Sequence, residues 1–375
     1  MKRIIGIEEY KGKCERLLGF KKLVRYGIRT PCPIKIITHD AFEEYRKKGM
    51  TGKLRAEITA SLKEIKSRNP EKGVIARRGY HVPGMQSPPG PRSSIIENPE
   101  TIVQEIKKIF NFALAKKYDV EGSEITAFMH PFINPTLPMA GGNVTIPITG
   151  NILVEAIYGN DEGVLTLPHD SYWVDLSRLE ITRKEILRKT KYMRFLDEKK
   201  YGIADLPEDL RARQVLDDEI ILGLAKQAKK LARKYRGCRL EFDIIEDEIY
   251  FTECSAINDT AKTALTDYAN SVTGIVTKVN SKKDLEKIKS ASIICIGRDV
   301  EKNELMDIVT ILPKKISPEA VVLFPGGITS HPSIILRECG VKVVHTAEEF
   351  IHGERIRIGL DGNKNLISRI GGKNE

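Results

Sequence analysis

Apolar residues recur along this chain with two different periods, and the change of period marks its elements. Across residues 99–117, Ile102, Ile106, Ile109 and Phe110 fall at helical spacing. Across residues 217–235, Ile220, Ile221, Leu224, Ala228, Leu231 and Ala232 share one helical face, and Gly237 supplies a stop. Residues 55–67 predict another amphipathic helix. Residues 10–48 hold two helical stretches set around the turn at 27–33 and the mostly apolar run 34–37; the second opens at His39 with Asp40 near its positive end. Shorter runs predict strands at 73–77, 124–132, 142–148 and 152–158, and a hairpin at 239–254. A long Pro/Gly-rich loop reaches to about Arg92.

Residues 258–270 are polar and rich in small side chains, which predicts a linker. From Gly274 short apolar strands alternate with helices, an α/β pattern. The whole is expected to be α/β (α+β), with a larger domain over residues 1–260, a linker over 261–272 and a smaller domain over 273–375. No internal repeat is visible, and the tail from Gly371 to Glu375 is expected to be disordered.

Composition narrows the function classes. The chain has 375 residues, 41% hydrophobic and 30% charged, which suits a soluble globular protein. No apolar run approaches the roughly 20 residues needed to span a bilayer, and the first residues lack the apolar core of a secretion signal. A cytoplasmic protein is expected. The six cysteines are scattered with no C-x-x-C pair, against a zinc site or disulfide framework. Net charge is +10, which fits an anionic partner. That partner would be nucleotide or nucleic acid, but the lysines are spread over helical stretches with no basic stripe, so solvated helix faces account for the charge.

Two segments carry candidate chemistry. In the first, a short apolar strand, Val321–Phe324, runs into Pro325-Gly326-Gly327, then Thr329-Ser330-His331-Pro332 and a helix. Proline suits the first helical position. His331 would therefore sit at a helix mouth, where anions are favoured and an imidazole that attacks phosphorus is stabilised in its phosphorylated form. In the second, the hairpin carries Glu241 and Glu253 around Glu246-Asp247-Glu248. A three-residue loop would set the two carboxylates face to face, as a site for Mg²⁺; a two-residue loop would put them on opposite faces.

Gly326-Gly-Ile-Thr-Ser-His331, with Ile334–Glu338 and Gly340–Val344 after it, resembles the phosphohistidine domain of phosphoenolpyruvate synthases and pyruvate phosphate dikinases. Upstream, Val74-Ile-Ala-Arg77-Arg78-Gly79 and Val82-Pro-Gly-Met85 resemble that family's arginine-bearing strand and the loop after it. The hairpin resembles its metal-binding hairpin; Gly141-Gly142 and the segment from Glu155 to Val164 resemble further pieces of its nucleotide domain. The resemblance implies an ATP-grasp-like domain followed by a swivelling phosphohistidine domain, with ATP and Mg²⁺ as cofactors. It implies His331 as phosphoryl carrier, assisted by Thr329 and Ser330. Arg77 would be the chief phosphate contact, with Arg78, Arg92, Gly141, Gly142, Glu155, Glu241 and Glu253 around the nucleotide. His169 is expected to be structural. A lysine of the first helix should also reach the phosphates, and Lys13, Lys21 and Lys22 stand open.

Three departures bear on turnover: the family's Gln, Arg and Asp positions are Glu253, Ser255 and Arg239 here. The family's pyruvate-binding barrel has no counterpart in these residues, so the acceptor is expected on a separate subunit or a small molecule, with a homo-oligomer left open. The alternative is a nucleotide-binding regulatory protein without turnover.

Overall fold

The computed structural model describes residues 2–370 apart from 86–87, 92–94, 138, 148–150, 198–199, 236, 257–270, 287, 289–290, 299, 301, 326–330, 347 and 362–363. In chain order its elements begin with β1 (Ile4–Gly6), α1 (Glu15–Arg25), β2 (Lys35–Ile37), α2 (His39–Lys48), α3 (Gly52–Arg68), β3 (Val74–His81), α4 (Pro99–Ala115) and β4 (Glu124–Pro131). A mostly β stretch follows: β5 (Ala140–Ile146), β6 (Ile152–Tyr158), β7 (Asp170–Asp175), β8 (Glu180–Glu185), β9 (Lys191–Asp197) and β10 (Lys200–Asp205). Then come α5 (Glu208–Arg211), α6 (Asp218–Ala232), β11 (Cys238–Ile245) and β12 (Glu248–Ala256). The last region holds β13 (Val272–Val279), β14 (Ile293–Ile296), α7 (Lys302–Ile311), β15 (Val321–Phe324), α8 (His331–Glu338), β16 (Lys342–His345), β17 (Arg355–Asp361) and β18 (Lys364–Arg369). Both α+β segregation and a parallel α/β portion are present.

The chain divides into two compact units. One comprises Met1–Met139, Arg194–Gly202 and Leu240–Ser255; the other comprises Ala140–Met193, Ile203–Arg239 and Ala256–Glu375.

In the first unit, β1, β2, β4 and β3 form an antiparallel sheet in that order. The sheet has two distinct faces, because alternate residues point oppositely. Val74, Ala76, Tyr80, Ile125, Ala127 and Met129 join one buried core with residues of α2, α3 and α4. Each large apolar side chain fully withdrawn there contributes about 1.5–3 kcal/mol. The other face presents Arg77, Phe128 and His130 to α1, whose Phe20 ring lies 5.9 Å from Phe128 and 5.8 Å from His130. Thr38, Thr51 and Asn98 cap α2, α3 and α4 by accepting a backbone N–H three residues on.

In the second unit, β5, β6, β7 and β8 pair antiparallel in sequence. β5 and β6 are buried along their whole length. A second sheet runs β16-β15-β14-β13-β17-β18. Its first four strands are parallel and the last two are antiparallel additions beyond β13. Among the described residues no helix is long and apolar enough to cross a membrane.

Candidate nucleotide site

The hairpin fixes its own register. Glu246 and Asp247 form a two-residue turn, both with positive φ (50° and 64°), the backbone of a type I′ turn. Ile245 therefore stands opposite Glu248, and Phe242 opposite Phe251. The rings of that last pair lie 6.4 Å apart, and the N–H of Phe251 points away from the partner strand to the Arg29 carbonyl at 2.9 Å.

By the same count Glu241 faces Thr252 and Glu253 faces Leu240. The face-to-face carboxylate pair expected of a three-residue loop does not form: Glu241 shares a face with Asp243, while Glu253 lies on the apolar face with Phe242 and Phe251. Among the described residues no group of three or more His, Cys, Asp or Glu side chains is placed to hold a metal ion. The donor pair expected for Mg²⁺ does not fit it.

Glu253 has another role. Its carboxylate accepts a short charge-assisted hydrogen bond from Arg16 of α1. The contact depends on Gly19, one turn further along that helix, because a Cβ there would fall 2.1 Å from the Cys254 carbonyl oxygen. α1 thus meets β12 backbone to backbone, and Arg16 reaches the neighbouring glutamate. Of the lysines considered for this helix, Lys13 donates to the Gly122 carbonyl at 3.2 Å and Lys21 to the Tyr10 carbonyl. Arg16 was missed. A glycine inside an amphipathic helix was the signal that a close approach lay beside it.

Arg77 and Arg78 point to opposite faces of β3. Arg77 pairs in register with Phe128 and is half-buried on the α1 side. Burial, then the charges of Arg77 and Arg16, hold His130 far below its ordinary value near 6.5, at about 3. Both guanidinium groups therefore bear on one buried, neutral imidazole. Its Nδ1 lies 2.8 Å from the Pro131 carbonyl oxygen, and its Nε2 has no hydrogen-bond partner. Arg16 and Arg77 both bear on this ring, and guanidinium groups suit phosphate oxygens. Arg78 instead braces the loop beyond the strand, donating to the carbonyls of Pro88 (2.8 Å) and Gly90 (3.1 Å). Arg92 lies outside the described residues.

In the second unit, Gly141 and Gly142 sit in β5 opposite Ile157 and Ala156. A Cβ on Gly142 would fall 2.0 Å from the Glu155 carbonyl oxygen, so this glycine is needed by strand packing. Glu155 is fully buried on β6, with its Oε1 3.4 Å from His169 Nε2. The other ring nitrogen of His169 lies 2.8 Å from the Leu167 carbonyl oxygen. Burial disfavours charging this ring, but the Glu155 hydrogen bond and charge outweigh it and raise the group above its ordinary value.

Beside it is a polar knot that sequence reading passed over. Asp170 and Lys189 are both fully buried, 2.5 Å apart. Asp170 also accepts from the backbone of Leu187 (3.1 Å) and Val215 (2.8 Å) and from the Tyr172 hydroxyl (3.2 Å). Lys189 donates a second bond to the Leu187 carbonyl at 2.7 Å.

His331 is the first residue of α8; its side chain, and Thr329 and Ser330 altogether, lie outside the described residues.

Residues 110–268 match the family model described as pyruvate phosphate dikinase, AMP/ATP-binding domain. The chain is 25% identical over 245 residues to a probable phosphoenolpyruvate synthase of Methanothermobacter thermautotrophicus, covering 59% of this chain and 34% of that protein. A second probable phosphoenolpyruvate synthase, from Methanocaldococcus jannaschii, is 25% identical over 269 residues, covering 62% and 22%. The chain therefore spans only 34% and 22% of the length of these curated relatives. Among solved structures, the D-alanine–D-alanine ligase of Bacillus anthracis aligns with a TM-score of 0.32 and 11% identity, over 65% of this chain and 57% of that one. A dinucleotide-forming acetyl-coenzyme A synthetase of Ca. Korarchaeum cryptofilum gives 0.32 and 13%, over 64% and 97%. The chain carries a dikinase-type AMP/ATP-binding domain and is distantly homologous to probable phosphoenolpyruvate synthases.

Proposed function

We propose that this chain, a distant relative of probable phosphoenolpyruvate synthases, is an ATP-dependent phosphotransferase that phosphorylates its own His331. The observation that carries the reading is the match of residues 110–268 to a dikinase AMP/ATP-binding domain, on a chain that also contains the Gly326–His331 run. An ATP-grasp-like domain over residues 1–260 would hold the nucleotide, and a swivelling domain over 273–375 would carry the phosphoryl group to a separate acceptor.

Arg77, with Arg16 beside the same face, grips the phosphates and offsets their charge. The neutral imidazole of His331 attacks phosphorus, and its helix mouth receives the transferred oxygens. Thr329, Ser330, Gly141 and Glu155 would take the roles that the family resemblance implies, and Glu241 only that of a residue beside the nucleotide. Magnesium, which that resemblance also implies, has no fitting donor pair in Glu241 and Glu253.

A second reading is nucleotide binding without turnover, favoured by Ser255 and Arg239, which replace charged family positions. One experiment separates the two. ATP labelled at β or γ is incubated with wild type and His331→Ala. Acid-labile, base-stable label on wild type alone supports the transferase, and the labelled position tells whether one or two phosphates lead to the histidine. ATP binding without retained label would leave the regulatory reading.

A further inference from the structure

The C-terminal sheet has a cavity of about 280 Å³ that the nucleotide chemistry does not use. It opens at the carboxyl ends of the parallel strands. Lys278 lies at the end of β13, Arg298 just after β14, Pro325 just after β15 and Thr346 just after β16. Beyond β16 the chain crosses to the far side of β13, where β17 adds antiparallel. The carboxyl ends of parallel strands are where open α/β sheets commonly leave room for ligands.

The lining is arranged for an anion. Lys278 is half-buried and forms no ion pair among the described residues. Arg298 keeps one guanidinium nitrogen, Nε, buried without a hydrogen-bond partner. Its Nη1 lies 3.2 Å from Glu349, whose side chain is 71% exposed and can swing into solvent. The cavity's other acid, Glu348, is held by Arg369 at 3.1 Å. At the floor, burial pushes the Cys295 thiol up to about 11, so it stays neutral beside an anion. Glu349 therefore occupies Arg298 as a displaceable anion of the chain's own.

The histidine helix is tied to the end of β16, next to the lining residue Thr346. Ser333 Oγ, in the first turn of α8, lies 3.1 Å from His345 Nε2, and Arg337 lies 3.0 Å from the same nitrogen. His345 directly precedes the lining residue Thr346, and Pro325 is six positions before His331.

We propose that this cavity is a binding site for a small molecule bearing a carboxylate or phosphate group, held by Lys278 and Arg298. Resting on the function proposed above, that molecule is the phosphoryl acceptor. A hydroxyl oxygen of the acceptor forms the new P–O bond, the P–N bond to His331 breaks with its electron pair left on the ring, and the hydroxyl proton passes to that nitrogen.

The test titrates the full chain with inorganic phosphate and, separately, with acetate by calorimetry, using variants whose melting temperature matches wild type. Arg298→Gln and Lys278→Gln should each weaken binding of at least one probe roughly tenfold, while Glu349→Gln should tighten it. The preferred probe tells phosphate ester from carboxylate. Equal affinity in wild type and both cation variants, or no binding of either probe across the millimolar range, overturns the site. His331→Ala should bind both probes normally. Failure of wild type to take label from ATP would remove the acceptor role alone and leave the anion site standing.

Discussion

Phe242 and Phe251 stand opposite one another across the β11–β12 hairpin, ring centroids 6.4 Å apart with planes inclined at 62°. That pair and the two-residue turn place Glu253 on the apolar face with its Arg16 partner, and Glu241 on the other face. Glu253→Gln removes the charge that Arg16 pairs with, leaving only a neutral acceptor, and should cost about 1–3 kcal/mol of stability, read as a lower urea midpoint. A midpoint equal to wild type would contradict the pairing.

The two adjacent arginines of β3 make a contrast. Arg77→Ala should weaken ATP binding about tenfold or more, measured by displacement of a fluorescent ATP analogue. Arg78→Ala should instead lower the melting temperature and spare ATP affinity, because its guanidinium holds the Pro88 and Gly90 carbonyls. If Arg78→Ala lost ATP affinity as strongly as Arg77→Ala, the opposed orientation would not be the operative feature.

Long amphipathic helices were legible in the sequence: residues 217–235 contain the observed Asp218–Ala232, and 99–117 contain Pro99–Ala115. Their apolar stripes span several turns, so fraying moves only the ends. The hairpin's loop length was left open, because Glu246-Asp247-Glu248 holds no glycine, yet Glu246 and Asp247 both adopt positive φ. The strands between Asp170 and Asp205 were passed over. In β8 exposed and half-buried residues alternate without a buried one, so no apolar period marks the strand. Nor could periodicity show that 240–255 belongs with residues 1–139. That association rests on Gly19 and Arg16 meeting Cys254 and Glu253, contacts remote in sequence.

His130 and His169 should tilt the pH dependence of stability in opposite senses. His130, at about 3 when folded against an ordinary value near 6.5, contributes stability above pH 6.5. That contribution is lost as pH falls toward 3, because the unfolded chain takes up a proton that the folded chain refuses. His169 is raised in the folded state, so its contribution is complete below pH 6.5 and is lost as pH rises through the folded value. Denaturant midpoints measured across pH should show His130→Asn more resistant to acid relative to its neutral-pH stability. His169→Gln should lose its advantage on the acid side. Curves that keep the wild-type shape in both variants would refute the assignment.

The buried ion pair of Asp170 and Lys189 gives the sharpest expectation of all, because neither charge can reach water. Desolvation lowers the Lys189 ammonium from its ordinary range, and the adjacent Asp170 charge and hydrogen bond oppose that shift. Asp170→Asn would leave a buried cation facing a neutral amide. It would also weaken the bonds from Leu187 and Val215 that tie β7 to the segments after β8 and before α6, and the bond from Tyr172 within β7. A loss of about 3–5 kcal/mol is expected for either single change. Asp170→Asn with Lys189→Met removes both charges together, and the double variant should be more stable than the sum of the single losses predicts. Urea unfolding of the four proteins closes the cycle. Strict additivity would mean that the pair is not coupled, and that the strands here are held by their apolar packing alone.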